Sequence, residues 1–228
     1  MALSIWDRAR CLLTPKATFG MPAVEVPYEG PISPPQSPQF ILRMMVRTPN
    51  SNGFQIPDEL LWLKPVIERT NSVQLSNGIS NPFVYVTVRS GNVITKTDDL
   101  WHVDGFSMRT PHVPEQNYIW TDVYGTEVLE QEFKLPDDFD PMGHNLHQYF
   151  QDRACTPART LEPKKLWAID PYVIHRRPSL PETVWRTFFR ISFVPIEIED
   201  DTCTVNPLIP RLKPYGREDI HLRLQRYV

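Results

Sequence analysis

The chain carries 24 prolines and only nine glycines in 228 residues. Proline ends helices and is excluded from central positions of a sheet. Prolines this frequent cut the chain into short segments, so the sequence favours a β-rich fold with many ordered connections over a helical bundle. The segments that escape proline agree. From residue 83 the pattern turns to period two: FVYVTVRSG (83–91), LWHVDGFSMR (100–109), NYIWTDVYGTEVL (117–129), KLWAIDPYVIHRR (165–177) and VWRTFFRISFVPIEI (184–198) read as strands. FILRMMV (40–46) and IHLRLQRYV (220–228) are further strand candidates. One segment, 57–71, has helical spacing, with Leu60, Leu61, Leu63 and Ile67 three to four apart. Pro65 is expected to kink or split it. Many strands, one helix candidate and no βαβ alternation predict a mainly β protein, a sandwich or barrel with a few flanking helices.

The length favours a single domain over 1–228. Residues 1–40 form a Pro-rich arm, expected to pack on the core because Trp6, Phe19, Met21 and Tyr28 are costly to expose. The acidic, turn-rich stretch 130–145 reads as an excursion. The net charge of -3 is not the footprint of a protein that lives on a nucleic-acid backbone. Cys11, Cys155 and Cys203 give neither a disulfide framework nor a zinc knuckle, so free thiols in a reducing compartment are expected. No apolar leader or membrane-spanning stretch is present, which predicts a cytoplasmic chain without a membrane partner.

The chemistry concentrates in two places. In His102-Val103-Asp104 the imidazole and carboxylate are two residues apart, so on a strand they share a face and reach one metal. His175 is the best third ligand, at the end of the apolar run WAIDPYVI. Two histidines and one carboxylate leave three adjacent positions open, the arrangement of non-haem Fe(II) oxygen chemistry. The second place is WRTFFRISF (185–193). Arg186, Phe188, Arg190 and Ser192 share one face, and Thr187, Phe189, Ile191 and Phe193 the other. An interior face with two arginines is costly unless an anion neutralises it, and a guanidinium suits a carboxylate. The bland readings are a surface His–Asp pair and arginines paired within the chain. His144 and His147 read as surface or lid residues, and His112 as a loop residue.

The order His102-x-Asp104, a distal His175 and then Arg190-Ile191-Ser192 resembles the Fe(II)/2-oxoglutarate-dependent oxygenases, over roughly residues 83–198. The resemblance implies the double-stranded β-helix (jelly roll, cupin-like), with Fe(II) on His102, Asp104 and His175, 2-oxoglutarate as co-substrate and O2 as oxidant. It implies that Arg190 and Ser192 hold the far carboxylate of 2-oxoglutarate. Arg186 competes for that role, because ten residues separate it from His175 as in the taurine and phytanoyl-CoA branches. The family also draws a Tyr, Thr or Asn from a neighbouring strand to the co-substrate, for which Tyr118 and Thr121 are candidates. Asp104 sets the chain apart from the family's halogenases, which lack that carboxylate. The implied reaction is hydroxylation of a small molecule or nucleotide with release of succinate and CO2, under a lid at 130–160. The competing readings are an oxygenase acting on a nucleic-acid base or peptide side chain, and a cupin-type metal enzyme or binding barrel without 2-oxoglutarate.

Overall fold

A computed structural model describes residues 18–94, 100–104, 115–139, 145–195, 197–198 and 202–209. Readings on Trp6, Cys11, His112, His144 and the strand at 220–228 lie outside the described residues. In chain order the elements are β1 (Thr18–Phe19), β2 (Val24–Val26), β3 (Gln39–Arg47), a 3-10 turn (Asp58–Leu63), α1 (Lys64–Ser76), β4 (Phe83–Val93), β5 (Gln116–Thr121), β6 (Glu127–Val128), β7 (Phe133–Lys134), α2 (Leu146–Arg153), β8 (Arg159–Thr160), β9 (Leu166–Ile169), β10 (His175–Arg176) and β11 (Val184–Val194). The protein is mainly β, built from antiparallel sheets with a few helices, an architecture compatible with a β-sandwich.

The large sheet has six strands in the order β2-β9-β5-β11-β4-β3. The small sheet runs β10-β6-β8, and an isolated antiparallel bridge between His102 and His175 adds the His102 segment beyond β10. From β4 onward the chain passes back and forth between the two sheets. The arm contributes β2 to the edge of the large sheet, and β1 pairs with β7 from the excursion.

Strand β11 is central because both its faces are needed inside. Its register runs the full length of β4, from Val184 opposite Val93 to Val194 opposite Phe83, and it pairs with β5 on its other side. Phe189, Ile191 and Phe193 join Val84, Val86, Val88, Tyr118 and Trp120 in a core closed by Leu60, Leu63, Val66 and Ile67 from the helical segment. Phe189 stacks on Trp120 with centroids 5.3 Å apart and meets the edge of Trp62 at 5.9 Å. On the opposite parity, Phe188 packs with Ile119, Val128, Trp167, Ile169 and Val173, which come from both sheets. Arg186, Arg190 and Ser192 share that parity and so face the space between the sheets.

The helix expectation is met, whereas the strand expected at 100–109 is, within its described residues 100–104, a single bridge at His102, and two long strand runs break. The helical segment is divided at Pro65, as its sequence allows: the 3-10 turn ends at Leu63 and Pro65 sits in the first turn of α1, where a missing N–H leaves no bond unmade. The run 117–129 is two strands in different sheets, parted by a turn in which Tyr124 has a φ of 48°. Gly125 follows, where a Cβ would fall 1.6 Å from the Leu161 carbonyl oxygen. The run 165–177 likewise breaks at Asp170-Pro171, so that β9 serves the large sheet and β10 the small one. Among the described residues no helix is long and apolar enough to cross a membrane.

The role of β11 in the helix-covered core predicts the cost of truncating it. Phe189→Ala should lose about 3–5 kcal/mol of unfolding free energy, read by urea denaturation, because a fully buried ring leaves a cavity.

Candidate metal centre

His102, Asp104 and His175 come together between the sheets. One ligand atom from each lies within 4.8 Å of the others. The Nε2 of His175 is 3.5 Å from Oδ2 of Asp104, and the two imidazole centroids are 4.5 Å apart. Bonds to a metal are about 2 Å long, so atoms sharing one ion stand roughly 3–4 Å apart and small side-chain adjustments close the set. The local sequence produces this directly. Histidine at 102 bridges to histidine at 175 through paired backbone bonds of 3.0 and 2.9 Å, which fixes the two Cα atoms side by side.

The imidazoles are oriented by the main chain. Nδ1 of His102 is 3.0 Å from the Leu100 carbonyl, and Nδ1 of His175 is 2.9 Å from the Val173 carbonyl. A carbonyl only accepts, so each Nδ1 carries a proton and Nε2 is the ring atom left for a metal. Burial, reinforced by His175, pushes the His102 pKa down to about 4 against the opposing pull of Asp104. Burial acts to raise the Asp104 pKa, but the Arg190 guanidinium and then His175 outweigh it and hold this carboxyl well below its usual range. A neutral imidazole at His102 and an ionised carboxylate at Asp104 are protonation states that a divalent cation requires.

Around this triad lies a polar shell. Arg190 donates through Nη1 to Oδ2 of Asp104. Burial acts to lower the Arg190 pKa, yet Asp104 and then Glu115 raise it overall. Ser192 donates to Oδ1 of Asn117 at 2.6 Å. Asn117 Nδ2 and Arg190 Nε are both buried and meet no hydrogen-bond acceptor among the described residues. From the excursion, α2 brings the ring of His147 to 5.9 Å from that of His102, and burial again lowers its pKa. Asn145 caps α2 by accepting from the backbone N–H groups of His147 and Gln148.

The sequence-derived candidates divide. His102, Asp104, His175, Arg190 and Ser192 converge on one side of the large sheet. Arg186 shares their parity and is buried, with Nε donating to the carbonyls of Val123 and Tyr124 at 3.2 Å each. Tyr118 does not join them. It lies on the helix-covered face of β5, where its hydroxyl accepts from Gln74 at 2.9 Å and burial raises its pKa. Thr121 has the interior parity, but its hydroxyl donates to the Val123 carbonyl at 2.8 Å. Asn117 and Glu115 were not singled out in the sequence. Their signal was spacing two and four residues before Ile119, on the interior parity of β5. His147 had no local signal, because its nearness to His102 depends on how the excursion folds back.

No family model matches the chain, and no curated protein does. Among solved structures, the crystal structure of EvdMO1 is similar with a TM-score of 0.34 and 11% identity. The alignment covers 66% of this chain and 35% of that one, so the chain spans about a third of its length. A likeness this slight carries no argument about activity.

Two outcomes test the centre. His102→Ala and Asp104→Ala should each lose tight binding of a divalent cation by calorimetry, while the circular dichroism of the fold persists, since neither side chain belongs to an apolar core. The second concerns pH. Because the folded pKa of His102 lies near 4 and its ordinary value is 6.5, the unfolded chain takes up a proton first as the pH falls. The contribution of this group to stability is intact above about 6.5 and declines between there and about 4. Melting temperatures of the metal-free protein across that window should fall less steeply in His102→Ala.

Proposed function

We propose that the protein is a non-haem Fe(II)- and 2-oxoglutarate-dependent oxygenase of double-stranded β-helix fold, acting on a small molecule. The observation that carries this reading is the convergence of two imidazoles and one ionised carboxylate, their ligand atoms within 4.8 Å of one another, backed by an arginine-bearing strand. Such a set leaves adjacent coordination positions for a chelating co-substrate and oxygen. The strand order supports the fold assignment. β4, β5, β9 and β11 lie in one sheet, the His102 segment, β6, β8 and β10 in the other, and the chain crosses between them at every step except from β6 to β8.

The donor set fits the implied groups. His102, Asp104 and His175 would hold the iron, and the unmet donors Asn117 Nδ2 and Arg190 Nε would satisfy an anionic co-substrate. With both bound, the centre would couple decarboxylation of 2-oxoglutarate to succinate and CO2 with oxidation of the substrate. The chain's own contribution is orientation and charge. Carbonyls of Leu100 and Val173 aim the imidazoles. Arg190 fixes the rotamer of Asp104 and keeps it ionised.

We assign the far carboxylate of 2-oxoglutarate to Arg186 rather than to Arg190. Arg190 is hydrogen-bonded to Asp104, which favours a place at the keto-acid end. Arg186 is four residues away, about 13 Å along the strand, and is buried on the same face. Two extended arginine side chains and a five-carbon diacid span that separation. Ser192 lies beyond Arg190, on the side away from Arg186, where it is buried and bonded to Asn117.

The test is release of succinate from 2-oxoglutarate in the presence of Fe(II) and O2. Arg186→Ala should raise the Michaelis constant for 2-oxoglutarate by about 30- to several-thousand-fold, the worth of a buried charge-assisted contact. Arg190→Ala should chiefly weaken iron binding, because Asp104 loses its orienting partner. The reverse pattern would return the anchor to Arg190, and absence of any 2-oxoglutarate turnover with bound iron would remove the reading.

A further inference from the structure

Strand β3 carries a bulge between Ile41 and Met44, opposite Thr87 of β4. Arg43 occupies it with a φ of 44°, a left-handed conformation that a non-glycine residue adopts only under constraint. The constraint is visible. The Arg43 N–H donates to Oγ1 of Thr87 at 3.1 Å. Leu42 donates to Oγ1 of Thr204 at 2.9 Å and accepts from the Thr204 N–H at 2.7 Å. Bulges held in this way re-aim a side chain. Here the guanidinium is directed at Glu115, with Nη2 3.7 Å from Oε2, and keeps 22% of its side-chain exposure.

Glu115 is the less usual partner. It is 4% exposed, yet its Oε1 has no hydrogen-bond partner among the described residues, and its Oε2 is beyond hydrogen-bond distance of Arg43. A buried carboxylate without a hydrogen bond is costly and calls for an explanation. Its place explains it. Glu115 acts electrostatically on Arg190, which is bonded to the metal-ligating Asp104. The Arg43–Glu115 pair, with its partly open guanidinium, thus stands within electrostatic reach of the Arg190–Asp104 pair at the metal centre. A guanidinium and a carboxylate side by side, each short of hydrogen bonds, complement a molecule bearing the opposite pair.

We propose that Arg43 and Glu115 recognise the prime substrate, and that this substrate is a small zwitterion of the amino-acid type, its carboxylate on Arg43 and its ammonium group on Glu115. The chemistry performed on that molecule rests on the oxygenase reading above; the binding does not. A full charge is favoured over a hydroxyl because each protein group is ionic and only loosely paired with the other.

The experiment is calorimetry on the full-length protein loaded with Mn(II), titrated without oxygen. The titrants are 2-oxoglutarate, the twenty common amino acids, and the N-acetyl and methyl-ester forms of any binder. At least one free amino acid should bind, and either modification should weaken it about ten- to a hundredfold, the worth of a hydrogen bond to a charged group. In Glu115→Gln the penalty for N-acetylation should vanish while that for esterification remains. In Arg43→Asn the converse should hold, and asparagine tolerates the left-handed backbone there. Glu115→Asp, which keeps the charge but withdraws the oxygen, replaces Glu115→Gln if that variant does not fold. Binding of 2-oxoglutarate without any amino acid would sink this proposal and leave the oxygenase reading standing. Amino-acid binding without 2-oxoglutarate would do the opposite. A binder indifferent to both modifications would also overturn the recognition pair.

Discussion

The bond from Arg190 to Asp104 is the constraint around which the rest of the site is arranged. A carboxylate enclosed between two sheets would ordinarily take up a proton and lose its value as a ligand. The guanidinium keeps it ionised, and an arginine can do so only if its own strand is held firmly enough to bear a buried charge. Strand β11 meets that requirement by being central. Neighbours bond it on both sides, and its alternate residues, Phe189, Ile191 and Phe193, are embedded under the helical cover. The apolar face anchors the strand and the polar face does the electrostatic work.

This division explains what was legible in the sequence. The alternation of WRTFFRISF reads as two faces without any structure, and so did the shared face of His102 and Asp104. His175 was found because it ends an apolar run at a strand edge. What could not be read was where long runs break. In 117–129 the chain turns at Tyr124-Gly125, and in 165–177 at Asp170-Pro171, so each run supplies strands to both sheets. Local patterning is similar on either side of such a turn, and only tertiary packing decides it.

Tyr118 and Thr121 show the same limit from another side. Three residues apart on one strand, they have opposite parity and cannot both face the interior. Tyr118 belongs to the helix side, where Gln74 of α1 meets its hydroxyl. The residue that does face the triad, Asn117, is its immediate neighbour. Arg43 was illegible for a stronger reason. A regular strand would send it elsewhere, and its direction depends on a bulge stabilised by Thr87 and Thr204, 44 and 161 residues away in sequence.

Each ligand imidazole is steadied by a carbonyl two residues upstream on its own segment. In many metal sites that duty falls to a carboxylate side chain, which a single codon change can delete or replace. Here it falls to the peptide backbone, which substitution at Leu100 or Val173 leaves in place. The aim of the two rings is therefore inherited with the strand geometry itself. Drift in the surrounding side chains can reshape the mouth and change what enters it while the grip on the cation stays the same, so the scaffold can acquire new specificities without first rebuilding its centre.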